Sequence, residues 1–240
     1  MSDIPINKEK YKCPFCKHKF ENFIPWPDYY DFPGIQYEMY NKKTAMCPIC
    51  KSLDRERLFK IYIEQETQLL EKPQSLLHIA PEKNLRNWIR GHRNISYTCG
   101  DLFPQDNEME RIDLTEIPYE DNTFDVILCS HVLEHIIDDQ KAMKELYRVL
   151  RPGGWSILQV PIALNIESIV EDNSITTPEG RKRHFGQDDH VRLYNRDGFI
   201  NRLRLSGFII HLFNLAEKIG LVETKSYGLS KGDYLYIVTK

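Results

Sequence analysis

From residue 74 onward, short continuous apolar runs alternate with stretches whose apolar positions recur at helical spacing. The runs at 75–80, 95–100 and 124–130 read as strands buried on both faces, because no polar alternation interrupts them. A helical piece at 85–90 lies between the first two. Over 138–150, Ala142, Met143, Leu146, Val149 and Leu150 share a helical face behind an Asp138 N-cap. The run Arg151-Pro152-Gly153-Gly154 predicts the end of that helix and a turn. A strand at 155–160, a helix at 196–205 and strands at 207–214 and 233–239 complete the series. Such alternation predicts an α/β fold, an open and mostly parallel sheet with helices on both faces. Cys99 and Cys129 fall in interior strands and read as small buried hydrophobes.

The chain ahead of residue 74 reads differently. Cys13-Pro14-Phe15-Cys16 and Cys47-Pro48-Ile49-Cys50 are matching Cys-x-x-Cys turns, with no βαβ pattern before either. Two such turns bring four thiolates to one ion and complete the tetrahedral sulfur shell that zinc prefers, so Cys13, Cys16, Cys47 and Cys50 are the expected ligands of a structural zinc. His18 follows a shell that is already closed and reads as a surface residue. The segment between the pairs holds Phe20, Phe23, Trp26, Tyr29, Tyr30, Phe32, Tyr37 and Tyr40. These aromatics suit a small core that packs the loop onto the zinc site or the next domain; stacking bases or lining a substrate pocket is the sharper alternative. A helix follows, with Ser52 or Asp54 as N-cap, an apolar face through Glu71 and Pro73 as its stop. The expected division is a zinc module at 1–52, a connector helix at 53–73 and a sheet domain at 74–240.

Composition narrows the functional classes. The 240 residues include 32 basic and 35 acidic side chains, a net charge of -3, which argues against gripping nucleic acid through bulk charge. Hydrophobic residues at 41% and charged ones at 28% describe a globular chain with a real core. No apolar run approaches the ~18–20 residues of a membrane span, and the first ten residues lack a signal peptide's apolar stretch. Four metal-binding and two core cysteines favour a reducing cytoplasm.

In open α/β sheets, ligands bind beyond the carboxyl ends of the strands. Asp101 ends the second strand, where an acid accepts both hydroxyls of a ribose, and Asp113 ends another short apolar run, where it can accept from an adenine amino group. The strand ending at Ser130 delivers His131, Glu134 and His135 into the same crevice.

The runs Asp113-Leu114-Thr115-Glu116-Ile117-Pro118, Phe124-Asp125-Val126-Ile127-Leu128-Cys129-Ser130-His131-Val132-Leu133-Glu134-His135 and Glu145-Leu146-Tyr147-Arg148-Val149-Leu150-Arg151-Pro152-Gly153-Gly154 closely resemble class I S-adenosylmethionine-dependent methyltransferases, in particular the group called methyltransferase type 11. The resemblance covers roughly residue 76 to the C-terminus and is strongest over 110–160. It implies a Rossmann-like, seven-stranded, mostly parallel sheet and S-adenosylmethionine as cofactor. By the same resemblance Asp101, with Leu102, matches the ribose-binding acid and its neighbour. Asp113, with Leu114, matches the positions beside adenine, and Ser130 and His131 flank the cofactor's methionine end. The family's glycine-rich loop after the first strand is replaced by Ile79-Ala80-Pro81-Glu82. Ala80 stands for the first glycine, and Pro81 removes an amide donor. Glu82 either binds the cofactor's amino group or begins the next helix as a favourable acid. The four-cysteine module together with these motifs also resembles a subset of bacterial methyltransferases with zinc-ribbon-like N-termini.

The expected chemistry is displacement of a methyl group from a sulfonium, with His131 or His135 as base and Glu134 orienting one of them. The polar stretch 183–194 lies where this class inserts substrate-binding elements. His184, Asp188, His190, Arg192 and Tyr194, with Gln159 at a strand end, are therefore candidates to hold a polar small molecule or glycan that is O- or N-methylated. An RNA methyltransferase is the second reading, because some rRNA guanine methyltransferases also pair a four-cysteine module with this fold; the net charge and the absence of an Asn-Pro-Pro-Tyr type motif stand against it. A non-catalytic scaffold with a degenerate cofactor loop is the third.

Overall fold

A computed structural model describes residues 10–26 and 32–240. Tyr29 and Tyr30 lie outside the described residues. The N-terminal module is small: a hairpin pairs Tyr11–Lys12 with Lys19–Phe20, and single bridges join Ile24 to Met46 and Met46 to Leu53. Phe20 and Phe23 pack edge-on to each other, their centroids 4.8 Å apart, around the buried Cys13 and Cys47.

Helix α1 (Asp54–Glu66) follows at once. Its N-cap is Leu53, whose amide donates to Glu56 Oε2 at 2.7 Å, rather than Ser52 or Asp54. It also stops before Glu71. Thr67 turns extended, its hydroxyl donates to the Ile63 carbonyl at 2.8 Å and accepts the Leu69 amide at 3.3 Å, so a local side chain replaces the next helical bonds. α1 docks on the sheet: Leu58, Phe59, Ile61 and Ile63 are buried in the same cluster as strand residues Leu76, Val126, Leu128 and Ile237.

The seven-stranded sheet comprises β1 (Gln74–Ile79), β2 (Ile95–Asp101), β3 (Glu110–Arg111), β4 (Phe124–Ser130), β5 (Leu150–Gln159), β6 (Ile209–Asn214) and β7 (Tyr234–Thr239). Their spatial order is β6-β7-β5-β4-β1-β2-β3, and β7 alone runs antiparallel to its neighbours. β1 and β4 lie side by side while the chain leaves them toward opposite edges, which makes their carboxyl ends the switch point. One face carries α1 and α2 (Lys83–Arg90); the other carries α3 (Asp139–Val149) and α5 (Arg196–Leu205), with a short α4 (Pro178–Phe185) in the loops. Cys99 and Cys129 are buried core residues, as expected.

The 151–154 run is not a separating turn. β5 begins at Leu150, opposite Phe124, and the register slips before Val126 meets Trp155, so these residues form a bulge with Gly153 at φ +79°. Arg151 and Ser75 both bond Asp125, at 2.8 Å and 2.7 Å, which ties β1, β4 and β5 together at that end.

Candidate active site

Each Cys-Pro-x-Cys turn ends in a lysine in the left-handed region, Lys17 at φ 62° and Lys51 at φ 63°. The turns repeat one hydrogen-bond scheme. Lys17 N–H donates to Cys13 O at 2.9 Å and Lys51 N–H to Cys47 O at 3.1 Å. The amides of Cys13 and Cys47 donate to His18 O and Ser52 O, at 3.0 Å and 2.9 Å. The four sulfurs converge: Cys13 to Cys50 is 3.6 Å and Cys16 to Cys47 is 3.8 Å. A tetrahedral ion with ~2.3 Å bonds to sulfur sets its ligands ~3.8 Å apart, so the cluster is sized for such an ion.

At the switch point the chain opens a cleft of about 460 Å³. Ala80, Asp101, Leu102, Asp113, Leu114 and His131 all line it. Ala80 adopts the left-handed φ of 47° that a glycine would take without cost, and its amide donates to Gly100 O at 2.8 Å. Asp101 spends Oδ1 on the Phe103 amide at 2.8 Å, while Leu102 and Phe103 expose apolar surface on the rim. Asp113 spends Oδ1 on Thr115. An acid with a remaining carboxylate oxygen, apolar flanks for a planar base and a tight strand-end turn fit a nucleoside such as S-adenosylmethionine.

A second cavity of about 260 Å³ adjoins this cleft, and His131 and His135 line both. His131 sits at φ 55°, a strained value for histidine, because its amide continues the ladder to Gln159 O at 2.8 Å while the chain turns away. Glu134 and His135 follow in a single 3-10 turn, Leu133–His135. Glu134 is 1% exposed, neither carboxylate oxygen has a hydrogen-bond partner, and burial pushes it up to about 7. It lies 3.5 Å from His131 Nδ1 and 3.9 Å from His135 Nε2. His135 Nδ1 faces Asp189 at 3.3 Å and its ring meets the buried His190 edge-on at 4.7 Å. Burial pulls His190 down to about 3, and burial with the Arg55 charge holds His131 well below the usual histidine value.

The far wall of this cavity comes from the N-terminal module. Trp26, Tyr37, Glu38, Met39 and Tyr40 line it opposite the histidines. The strip is held across the exit of β5: Glu38 N–H donates to Ile162 O at 2.9 Å, Leu164 N–H to Gln36 O at 2.7 Å, and Gln159 Nε2 reaches Met39 Sδ at 3.4 Å. Glu38 is buried on Arg196 at 2.7 Å and Tyr236 at 3.1 Å. The aromatic segment therefore divides. Phe20 and Phe23 form the small core, whereas Trp26, Tyr37 and Tyr40 line a pocket, the use that the core reading passed over.

Several expected site residues lie elsewhere. Glu82 is not among the cleft-lining residues. Its carboxylate accepts from Arg55 Nε at 2.9 Å and faces His78 at 3.5 Å; burial would raise it, yet these two neighbours hold it at about 2. It does begin α2 as the N-cap residue, the second of the two expected roles, but its carboxylate makes no capping bond; the Asn84 and Leu85 amides donate instead to Glu56 of α1, at 3.0 Å and 3.1 Å. Ser130 is buried and lines neither cavity. Of the polar candidates, Gln159 and His190 reach the second cavity. His184 and Asp188 are exposed and line neither. Arg192 and Tyr194 are buried supports: Arg192 donates to the carbonyls of Leu133, Ile136 and Ile137, and Tyr194 to Asp139, which pins the histidine turn. Arg55, Glu38 and Met39 were missed; their contacts are with distant segments and leave no local pattern.

Residues 84–158 match the family model described as a methyltransferase domain. Over 114 residues the chain is 28% identical to the ubiquinone/menaquinone biosynthesis C-methyltransferase UbiE of Bdellovibrio bacteriovorus, a match covering 42% of this chain and 48% of that protein. The chain thus spans about half the length of that curated relative. Among solved structures it is similar to the cyclase SpnF, with a TM-score of 0.52 at 16% identity over 77% of this chain and 81% of that one. It is also similar to a protein of Galdieria sulphuraria assigned as a sarcosine dimethylglycine methyltransferase, with a TM-score of 0.50 at 17% identity over 77% and 85%. The chain thus carries a methyltransferase domain at its centre, residues 84–158, on a fold that it shares with these solved structures. The domain is of type 11, the group that the 110–160 motifs resemble. No helix among the described residues is long and apolar enough to cross a membrane.

Proposed function

We propose that the protein transfers a methyl group from S-adenosylmethionine to a small, ring-bearing molecule with an ionisable hydroxyl, and that Cys13, Cys16, Cys47 and Cys50 hold a structural zinc. The carrying observation is that the nucleoside-sized cleft and the aromatic-walled cavity share His131 and His135. Bound there, the cofactor supplies an activated methyl with a neutral thioether as leaving group.

Asp101 is in position to accept the ribose hydroxyls, with Leu102 and Phe103 flanking the base. His131, neutral at physiological pH, takes the proton that the acceptor hydroxyl gives up. Trp26, Tyr37 and Tyr40 hold the acceptor ring and exclude water from the reacting atoms. A cavity of 150 Å³ takes up benzene, so about 260 Å³ suits one ring with substituents or a compact pair of rings. The expectation of a glycan rested on the polar stretch 183–194, of which only Gln187 and His190 line this cavity, so an aromatic acceptor is the better match. The name of the Bdellovibrio relative, a C-methyltransferase of ubiquinone and menaquinone biosynthesis, fits a ring-bearing acceptor, and proton removal serves C- as well as O-methylation.

Calorimetry with S-adenosylmethionine and its demethylated product tests the cofactor half. Transfer of labelled methyl to a panel of phenols, sugars and tRNA tests the acceptor half. Labelled phenols with unlabelled sugars and RNA are expected; no cofactor binding at millimolar concentration overturns the reading, and labelled RNA overturns its acceptor.

A further inference from the structure

The cavity holds a feature that proton transfer leaves unexplained. Glu134 is almost fully buried, yet neither carboxylate oxygen has a hydrogen-bond partner. The two nearest imidazole nitrogens, at 3.5 Å and 3.9 Å, stand beyond good hydrogen-bonding distance. A buried ionised carboxylate without compensation costs several kcal/mol. The backbone of the turn is fixed, because Arg192 pins it through three carbonyls and Val191 N–H holds the Glu134 carbonyl at 2.9 Å.

Around that carboxylate stand two imidazoles. One donor atom each from Glu134, His135 and His190 lies within 4.8 Å of the others. Bonds of ~2.1 Å would set such donors ~3.4 Å apart in a tetrahedral shell, so binding draws these side chains together. His135 is already oriented as metal-ligating histidines are: Asp189 faces its Nδ1 at 3.3 Å and leaves Nε2 on the Glu134 side. Two imidazoles and one carboxylate, with the remaining positions open, suit a borderline divalent cation such as Zn²⁺, Fe²⁺, Co²⁺ or Mn²⁺. The four sulfurs form a different, soft and closed site.

We propose that Glu134, His135 and His190 form a second metal site, which takes a borderline divalent cation and presents it to the acceptor's oxygen. Its role in catalysis rests on the methyl-transfer reading; its existence does not. The cation polarises the acceptor O–H, and the proton passes to His131. The electron pair of the oxygen, or of the ring carbon conjugated to it, forms the bond to methyl. The sulfonium C–S bond breaks with its pair retained by sulfur.

The test counts metal in the full chain. Protein stripped by chelator is reconstituted with Co²⁺, dialysed and assayed for metal per chain, with absorbance separating thiolate-bound from nitrogen- and oxygen-bound cobalt. Two equivalents are expected in the wild type. One equivalent, with thiolate charge-transfer bands intact, is expected in His190→Asn and in Glu134→Gln. His135→Asn, at a half-exposed position, gives the same readout should either buried variant fold poorly. One equivalent in the wild type, with thiolate bands only, overturns the site. Calorimetry with S-adenosylmethionine on the same samples separates the two readings. Cofactor binding with one metal removes the second site alone, and two metals without cofactor binding removes methyl transfer alone.

Discussion

Arg57 lies at the seam between the four-cysteine module and the sheet, and Arg57→Met tests how the two are joined. The side chain is fully buried on α1 and its guanidinium donates to four backbone carbonyls: Thr44 at 2.6 Å, Ala45 at 3.1 Å, Ser52 at 2.9 Å and Tyr227 at 2.8 Å. It also stacks on Phe23, 4.1 Å from the ring centroid. Methionine keeps most of the volume and none of the donors. Hydrogen bonds to a charged donor contribute ~1.5–3 kcal/mol each, so a simple sum over the four is roughly 6–12 kcal/mol. The variant no longer desolvates a guanidinium, which offsets part of this, and removing one side of a buried charged network costs ~3–5 kcal/mol in practice. A loss of about 3–5 kcal/mol is therefore expected in urea unfolding followed by tryptophan fluorescence. Three of the four acceptors belong to the module that carries the cavity wall, and a 1 Å misplacement can cost ~100-fold in rate. Methyl transfer should fall at least tenfold while S-adenosylmethionine affinity stays within about threefold. A destabilisation below about 1 kcal/mol, or equal losses in affinity and turnover, would refute the reasoning.

Glu82→Gln tests the ion pair with Arg55. Its carboxyl is held at about 2 against an ordinary 4.5, a difference of about 3 kcal/mol. A depressed acid stabilises the fold above its unfolded value and loses that contribution as pH falls from 4.5 toward 2, so urea melts at pH 7 and pH 5 should show the same deficit; one that vanishes by pH 5 contradicts the assignment. Asp101→Asn keeps an oxygen for the Phe103 amide but removes the charge, so calorimetry should show S-adenosylmethionine bound ~10–100-fold more weakly with stability almost unchanged. Cys47→Ser should lose the thiolate-bound metal and at least about 3 kcal/mol, a fraction of the ~10–16 kcal/mol that structural zinc supplies in small modules. Retained stoichiometric metal at the remaining sulfurs counts against the four-thiolate site. Tyr37→Ala should slow methyl transfer without altering cofactor affinity, and a change confined to cofactor affinity would move Tyr37 out of the acceptor wall.

The sheet was legible because burial on both faces leaves a local trace. Phe124–Ser130 is apolar almost without a break, and its run names a strand without knowledge of its partners. Glu134 and the two histidines beside it stood out for the converse reason, as titratable groups at a strand end that packing does not require. The 151–154 run was misread because Pro and Gly mark a departure from helix, and only the pairing of Phe124 with Leu150 shows that a strand has already begun. Which of the aromatics pack as a core and which line the pocket was not legible. Met39 meets Gln159 and Tyr37 pairs with Ala163, contacts across more than a hundred residues that no periodicity encodes. Arg57 passed unremarked and Arg192 stood as a substrate candidate for a related reason: a charge on a helix or in a polar loop carries no local sign that backbone carbonyls satisfy it in the interior.

Helix α1 explains why the two halves of the site should respond differently to loss of metal. Its apolar residues Leu58, Phe59, Ile61 and Ile63 are buried among the strands, so its position depends on the sheet more than on the sulfurs. From that position it reaches the cofactor loop twice. Arg55 holds Glu82, and Glu56 takes the Asn84 and Leu85 amides at the N-terminus of α2. These contacts brace a turn that has no glycine and would otherwise lack an internal reason to stay in one shape. The wall residues Trp26 and 37–40 touch the sheet core at fewer points, through Met39 in the same cluster as α1 and Glu38 on Tyr236, and otherwise depend on the sulfur cluster, on Arg57 and on a few bonds to the exit of β5. Chelation should therefore leave cofactor binding close to intact while removing acceptor binding. On that outcome the four-cysteine module would bear on the proposed methyl transfer through the acceptor side, where specificity among ring-bearing acceptors would be set.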